Sequence, residues 1–217
     1  MNAQEIAIQA CQESKKYLVP GISEKKFSTI CEEIMFSLGA DDLWYPMLVN
    51  FNTNSIYCTR GKHLPSDKII LRDSDIVLID FSPMVKGKWG DYSETIVIGK
   101  DQIFMKLAAD AKYIFEETYR HAKECRTVGE LFGYCNELIE QSDYRLLDPH
   151  GNIGHSIEDF DNQNKRIFIS PENSNVMLKG KKWAIEPHIG IGNYGAKFEN
   201  VINFEDHRYI NEGHNIS

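Results

Sequence analysis

Residues 75–99, DIVLIDFSPMVKGKWGDYSETIVIG, are the stretch of sequence that decides the fold. The stretch opens with an aliphatic run from Ile76 to Ile79 between two aspartates, and such a run is typical of a buried strand. It closes with TIVIG, a second strand-like run, and a turn around Lys86-Gly87-Lys88 lies between the two. Two strands joined by a short glycine-bearing turn predict an antiparallel hairpin.

Helical periodicity predicts helices on both sides of this hairpin. The predicted helices cover residues 2–17, 24–38, 101–123 and 127–141. Ser23 is the expected N-cap of the second helix, and Thr127 with Glu130 forms a capping box at the fourth. After residue 144, the runs WAIEPHIGIG and AKFENVINF predict a second set of short strands between glycines. The order of helices, hairpin, helices and hairpin predicts an α+β fold with an antiparallel sheet.

Length and charge limit the class of protein. The chain has 217 residues, 42% of them hydrophobic, and no repeat or linker, so we expect one domain over 1–217 without a separate N-terminal domain. The net charge of −8 disfavours a nucleic-acid partner, and no apolar run is long enough for a membrane span. Without a secretory signal, the five cysteines are expected to be reduced thiols of a cytoplasmic protein.

Polar groups stand inside or beside the apolar strand segments, where they are least expected. They are Asp80, Asp91, His155, Glu186 and Glu199. Each of them alone is more typical of a turn, a cap or a solvated edge. Together, however, buried carboxylates need a counter-charge, and a pair of divalent cations supplies one. Four carboxylates and one imidazole favour manganese, iron, cobalt or zinc.

The order of these residues resembles the pita-bread metallopeptidase family, which includes methionine aminopeptidase, aminopeptidase P, prolidase and creatinase. The matching segments are DIVLIDFSPMVKGKWGDYSETIVIG, HGNIGH, AIEPHIG and GAKFENVINF, and the resemblance covers residues 15–205. It implies the pita-bread fold, with a pseudo-twofold antiparallel sheet and helices on the outer face. About forty residues precede the β region, as in a bare methionine aminopeptidase, whereas the short interval between Glu186 and Glu199 is closer to the Xaa-Pro branch.

The resemblance also implies roles for the five residues. Asp80 matches a bidentate ligand of one metal, whereas Asp91 and Glu199 match the carboxylates that bridge two metals. His155 and Glu186 match the remaining ligands, and Glu186 also matches the carrier of the proton. Two divalent ions (Mn, Co, Fe or Zn) would then activate a bridging water for attack on the carbonyl carbon of an amide or a related C–N bond.

Four further residues are expected to contact the substrate. His63 resembles the substrate-facing histidine of the Xaa-Pro branch, where it would hydrogen-bond the carbonyl as a catalytic group. His150 resembles the histidine that precedes the ligand histidine. Asn162 stands where the family usually has another histidine, and Lys197 stands where it tends to have arginine, so part of the substrate shell differs.

These features predict a metal-dependent aminopeptidase or dipeptidase of the Xaa-Pro type that cleaves short peptides. Two alternatives stay open. One is a non-peptidase enzyme of the same fold that acts on a small C–N-containing molecule, and Asn162 and Lys197 favour it. The other is a metal-retaining binding module. The expected partner is a small peptide or small molecule, with no nucleic acid and no membrane, and a homodimer is left open.

Overall fold

The computed structural model of the protein describes residues 1–57, 63–157 and 165–204. The described ranges contain four α-helices, and each lies close to a predicted one. Their bounds are Ala3–Ser14 (α1), Glu24–Ser37 (α2), Gln102–His121 (α3) and Val128–Glu140 (α4). Ser23 caps α2, and Thr127 and Glu130 form the capping box of α4, so both predicted caps are confirmed. A second capping box, from Asn2 and Glu5, starts α1 and was not predicted.

Twelve short strands occupy the same described ranges, and all of their pairings are antiparallel, as the sequence predicts. In the first part of the chain they are Asp42–Leu43 (β1), Leu48–Phe51 (β2), Asp75–Phe81 (β3), Pro83–Val85 (β4), Lys88–Trp89 (β5) and Tyr92–Ile98 (β6). In the second part they are Arg145–Leu146 (β7), Gly154–Ile157 (β8), Lys182–Ile185 (β9), His188–Ile191 (β10), Tyr194–Lys197 (β11) and Asn200–Asn203 (β12).

The two parts repeat one topology. Each consists of two helices followed by six strands, and we call them the first half (α1 to β6) and the second half (α3 to β12). The strand orders β1-β4-β5 and β2-β3-β6 of the first half recur as β7-β10-β11 and β8-β9-β12 in the second. The pseudo-twofold α+β architecture is therefore as expected, although the sequence itself shows no repeat.

The predicted hairpin over residues 75–99 is present in a more elaborate form. β3 pairs with β6, with Asp80 opposite Ser93. The residues between them form the small β4–β5 hairpin, whose tight turn at Lys86 and Gly87 has φ values of 50° and 73°. Two successive left-handed residues are typical of the turn that matches strand twist in a two-residue hairpin.

Each half has its own apolar core between its helices and its central strand. Val77, Ile79 and Phe81 of β3 pack on the side of α1 and α2, in the core of the first half. Because side chains alternate along a strand, Ile76, Leu78 and Asp80 lie on the opposite face. Ile76 belongs to the core of the second half, so this face of β3 is turned toward that half.

The remaining global expectations concern the cysteines and the membrane. Cys11, Cys31, Cys125 and Cys135 are buried and unpaired, as predicted, whereas Cys58 lies outside the described residues. Burial raises the pKa of each of the four thiols, which disfavours the reactive thiolate. Among the described helices, none has both the length and the apolar character that a membrane span requires.

Candidate metal centre

The five candidate ligands occupy related positions in the two halves. Asp80 lies near the end of the central strand β3, and Glu186 directly follows the central strand β9. Asp91 precedes β6, and Glu199 precedes β12, in the same pattern. His155 lies in β8. The repeated topology therefore brings an equivalent pair of carboxylates from each half to the junction between the halves.

Backbone contacts hold the halves together at this junction. The backbone N–H of Glu199 donates to the carbonyl of Ser93 at 3.0 Å. The hydroxyl of Thr95 donates to the carbonyl of Lys197 at 2.9 Å and accepts from the N–H of Lys197 at 2.8 Å. The segment that carries Lys197 and Glu199 is thus fixed against β6, which starts directly after Asp91.

The ligands form two groups that share one residue. Oxygen and nitrogen atoms of Asp91, His155 and Glu199 lie within 4.8 Å of one another, and so do oxygens of Asp80, Glu186 and Glu199. Asp80, Asp91, His155 and Glu199 are buried, whereas the side chain of Glu186 keeps 16% of its surface exposed. Glu186 is therefore the most exposed member of the cluster.

The ring of His155 is oriented by its own strand. Its Nδ1 lies 2.9 Å from the carbonyl oxygen of Ser156. Because a carbonyl only accepts, Nδ1 carries the proton in the neutral ring, and Nε2 keeps its lone pair. Nε2 lies 3.3 Å from Oδ2 of Asp91 and 3.6 Å from Oε1 of Glu186. An imidazole fixed in this way presents the tautomer that metal binding requires.

Lys197 lies inside the carboxylate cluster. Its ammonium donates to Oδ2 of Asp80 at 2.7 Å, to Oε2 of Glu186 at 2.7 Å and to Oε2 of Glu199 at 3.1 Å. Burial alone would lower the pKa of Lys197, but the surrounding carboxylates outweigh it and hold that pKa well above its usual value. The side chain therefore carries a full positive charge among the ligands.

The ammonium of Lys197 does not neutralise the negative charge of the cluster completely. Burial, followed by the charges of Asp91 and Glu186, raises the pKa of Glu199 well above its usual value. Oε1 of Glu199 and Oδ1 of Asp80 are buried and accept no hydrogen bond from the described part of the chain. Buried acceptors without donors, next to an oriented imidazole, fit a hard or borderline divalent cation.

Three other predicted site residues either make no hydrogen bond to the cluster among the described residues or lie outside the described residues. The ring of His63 stacks on Tyr57, with ring centroids 3.6 Å apart, and makes no hydrogen bond to the five ligands among the described residues. The side chain of His150 is exposed, and its backbone N–H donates to Asp148. Asn162 lies outside the described residues. The roles of these three residues stay predictions.

An aromatic wall beside His155 was not predicted. Trp44 and Trp89 stack with ring centroids 4.5 Å apart, and the edge of Trp44 meets the ring of His155 at 5.8 Å. The guanidinium of Arg166 lies 5.4 Å from the ring centroid of Trp44 and 5.9 Å from that of Phe168. Nε and Nη1 of Arg166 are buried without a hydrogen-bond partner in the described part of the chain. These residues come from distant segments of the sequence, so no local sequence pattern predicts their contact.

His188 is a further residue near the cluster to which the sequence analysis assigns no role. It is buried, its Nε2 lies 2.8 Å from the carbonyl of Ser55, and it is the register partner of Lys197 on β10. Burial, and then the charge of Lys197, lower its pKa to about 3, so its ring is neutral. A neutral ring adds no positive charge to the cluster.

Comparison with known proteins identifies relatives with this arrangement of elements. The model of metallopeptidase family M24 matches residues 1–206. Methionine aminopeptidase of Escherichia coli K12 is 24% identical over 204 residues, which cover 88% of this chain and 74% of the relative. A dipeptidase from Pyrococcus horikoshii OT3 superposes with a TM-score of 0.79 at 20% identity, over 94% of this chain. A methionine aminopeptidase from Thermotoga maritima gives a TM-score of 0.74 at 22% identity, over 92% of this chain and 89% of its own.

The two structural relatives differ in length. The chain spans 56% of the Pyrococcus dipeptidase, so just over half of that protein has a counterpart here. The Thermotoga methionine aminopeptidase is matched almost throughout. At these identities the superpositions establish the fold.

A glycine beside His155 provides the first testable prediction. Gly154 has φ of +147°, and a Cβ there would lie 2.1 Å from the carbonyl oxygen of Ala184. We expect Gly154→Ala to lower the free energy of unfolding by at least about 2 kcal/mol and to weaken metal binding, because β8 must move away from β9.

Gly180→Ala is the matched control, since Gly180 also has a positive φ but has open space around its Cβ position. Denaturant unfolding measures the free energy of unfolding of both variants, and metal titration measures their metal affinity. Equal losses of stability in the two variants would contradict the close approach of the strands at Gly154.

Proposed function

The chain belongs to metallopeptidase family M24, and we propose that it is a metal-dependent hydrolase of short peptides, an aminopeptidase or dipeptidase of the Xaa-Pro type. The observation that carries this proposal is the cluster of four carboxylates and one oriented imidazole at the junction of the halves. The short interval between Glu186 and Glu199 and the named dipeptidase relative support the Xaa-Pro type. The curated methionine aminopeptidase relatives support the aminopeptidase alternative.

The proposed cofactor is manganese, cobalt, iron or zinc, bound within the cluster that Asp80, Asp91, His155, Glu186 and Glu199 form. A divalent cation in such a site supplies an acidified water and polarises the carbonyl of the substrate. The ligands form two groups, and the number of ions depends on Lys197, because its ammonium already lies inside one of the groups.

The chain itself contributes a proton carrier. Glu186 is the partly exposed carboxylate of the cluster, and Lys197 holds its Oε2 at 2.7 Å. Oε1 remains on the side of His155, 3.6 Å from its Nε2. We assign Glu186 to take a proton from the attacking water and to deliver it to the leaving amine nitrogen. His63 is proposed, from the resemblance, to donate a hydrogen bond to the substrate carbonyl.

The aromatic wall suggests how a short peptide is oriented. Arg166 lies against Trp44 and Phe168, next to His155, and two of its nitrogen atoms have no partner in the described part of the chain. A guanidinium binds a carboxylate with paired, charge-assisted hydrogen bonds. We propose that Arg166 receives the C-terminal carboxylate of a dipeptide, which would favour dipeptidase over general aminopeptidase activity.

One assay tests the proposed activity. The manganese-, cobalt- and iron-loaded protein is incubated with a dipeptide library that contains Xaa-Pro and Met-Xaa members, and released amino acids are quantified. We expect release from part of the library and its loss in Asp91→Ala, because Asp91 is a ligand in the proposal. If the protein binds metal but no metal form releases amino acids from any dipeptide, the result would instead favour the small C–N substrate that Lys197 and Asn162 suggest.

The role of Glu186 is tested by Glu186→Gln. An amide still accepts a hydrogen bond from Lys197 but cannot carry the proton, so we expect kcat to fall by about 10²–10⁴-fold while the fold is kept. Steady-state kinetics and a thermal melt measure the two effects. Glu116→Gln on the exposed side of α3 is the control and should match the wild type. Full turnover of Glu186→Gln would refute the assignment.

Arg166→Met tests the orientation of the substrate. We expect KM to rise about tenfold or more for free dipeptides and to stay unchanged for the same dipeptides with a C-terminal amide, because only the former have a carboxylate to lose. Arg120→Met, on the exposed face of α3, serves as the control. An equal rise for both kinds of substrate would contradict carboxylate recognition by Arg166.

A further inference from the structure

We propose that the ammonium of Lys197 takes the place of one of the two expected cations, so that the chain holds a single divalent ion between Asp91, His155 and Glu199. This inference rests on the proposed metal-dependent function and specifies its cofactor content.

The contacts of Lys197 cover one ligand group completely. The ammonium bonds to Asp80, Glu186 and Glu199, which are the three members of that group. An ammonium has three N–H donors, so three carboxylate acceptors satisfy it without a further partner. A divalent cation bound to the same oxygens would lie about 2.0–2.3 Å from each of them. Its position would overlap that of Nζ, so the group accommodates one or the other.

Lys197 is also held in place from both sides. The N–H and the carbonyl of its backbone are both bonded to the hydroxyl of Thr95, and β11 pairs with β10 at His188. The Lys197 side chain is 5% exposed, so water can hardly solvate its ammonium. Moving the ammonium out of the group would leave a buried charge without its acceptors, which is costly.

The other ligand group keeps the features of a cation site. His155 directs Nε2 into it, and Oε1 of Glu199 has no donor among the described residues. Among its members, Lys197 hydrogen-bonds to Glu199, through Oε2. One imidazole and two carboxylates, with positions left for water and substrate, match the ligand number of a catalytic mononuclear site.

The experiment counts bound ions without relying on activity. The full chain, purified without chelator and stripped, is titrated with manganese and followed by calorimetry, elemental analysis and electron paramagnetic resonance. We expect one ion per wild-type chain, with the six-line spectrum of isolated manganese. We expect two ions in Lys197→Met, with a spin-coupled spectrum, because the Asp80–Glu186–Glu199 group is then free.

Lys179→Met, at an exposed lysine, is the control and should remain at one ion. Two ions of similar affinity in the wild type would overturn the proposal, as would the absence of bound manganese. If the wild type binds two ions and hydrolyses peptides, the inference is wrong but the proposed function is supported. If it binds one ion and hydrolyses no dipeptide, the inference is supported and the proposed function is contradicted.

A second pair of variants keeps the proposal testable if Lys197→Met does not fold. In the single-ion arrangement Asp80 bonds to Lys197 rather than to metal. We therefore expect Asp91→Asn to weaken manganese binding by about tenfold or more beyond the loss that Asp80→Asn causes, because only Asp91 is a ligand in the proposal. Equal losses of affinity in the two variants would contradict the proposal.

Discussion

The rest of the structure depends on a concentration of negative charge at the junction of the two halves. Asp80 and Asp91 are buried, each with an oxygen within 4.8 Å of an oxygen of the buried Glu199, and Glu186 is largely enclosed. Isolated carboxylates in such a place would cost far more free energy than a domain has to spare. The site therefore needs positive charge inside it, which Lys197 supplies and to which the proposed cation would add.

The repeated topology divides this requirement unequally. Among the described residues, the first half contributes two carboxylates to the cluster, those of Asp80 and Asp91. The second half contributes two carboxylates together with Lys197 and His155. Because the counter-charge for Asp80 comes across the junction, the ion pair and the bonds of the Thr95 hydroxyl to the backbone of Lys197 both hold the halves together. The chemistry of the site and the cohesion of the fold thus rest on the same contacts.

The sequence predicts the helices well because each buries one stripe and starts at a recognisable cap, as at Thr127. It also points to the five candidate ligands, since a carboxylate at the end of an apolar strand conflicts with its surroundings, and the structure brings these residues together. Register between distant segments is the part it does not predict. The bonds from Lys197 to Asp80 and the contact of Arg166 with Trp44 join residues more than 100 positions apart. The topological repeat is hidden because it lies in strand pairing rather than in residue identity.

Lys197 stands where the family that the sequence resembles tends to have arginine. A guanidinium is planar and wide, and it pairs with a carboxylate from outside through two parallel bonds. An ammonium is a compact point charge with three donors, so it fits at the centre of three carboxylates, as Lys197 does. In the proposed single-ion arrangement, the ammonium of Lys197 takes the place of a cation. Lys197 supplies charge and hydrogen bonds but no open coordination position, so the proposal leaves the activation of water to a cation in the Asp91–His155–Glu199 group.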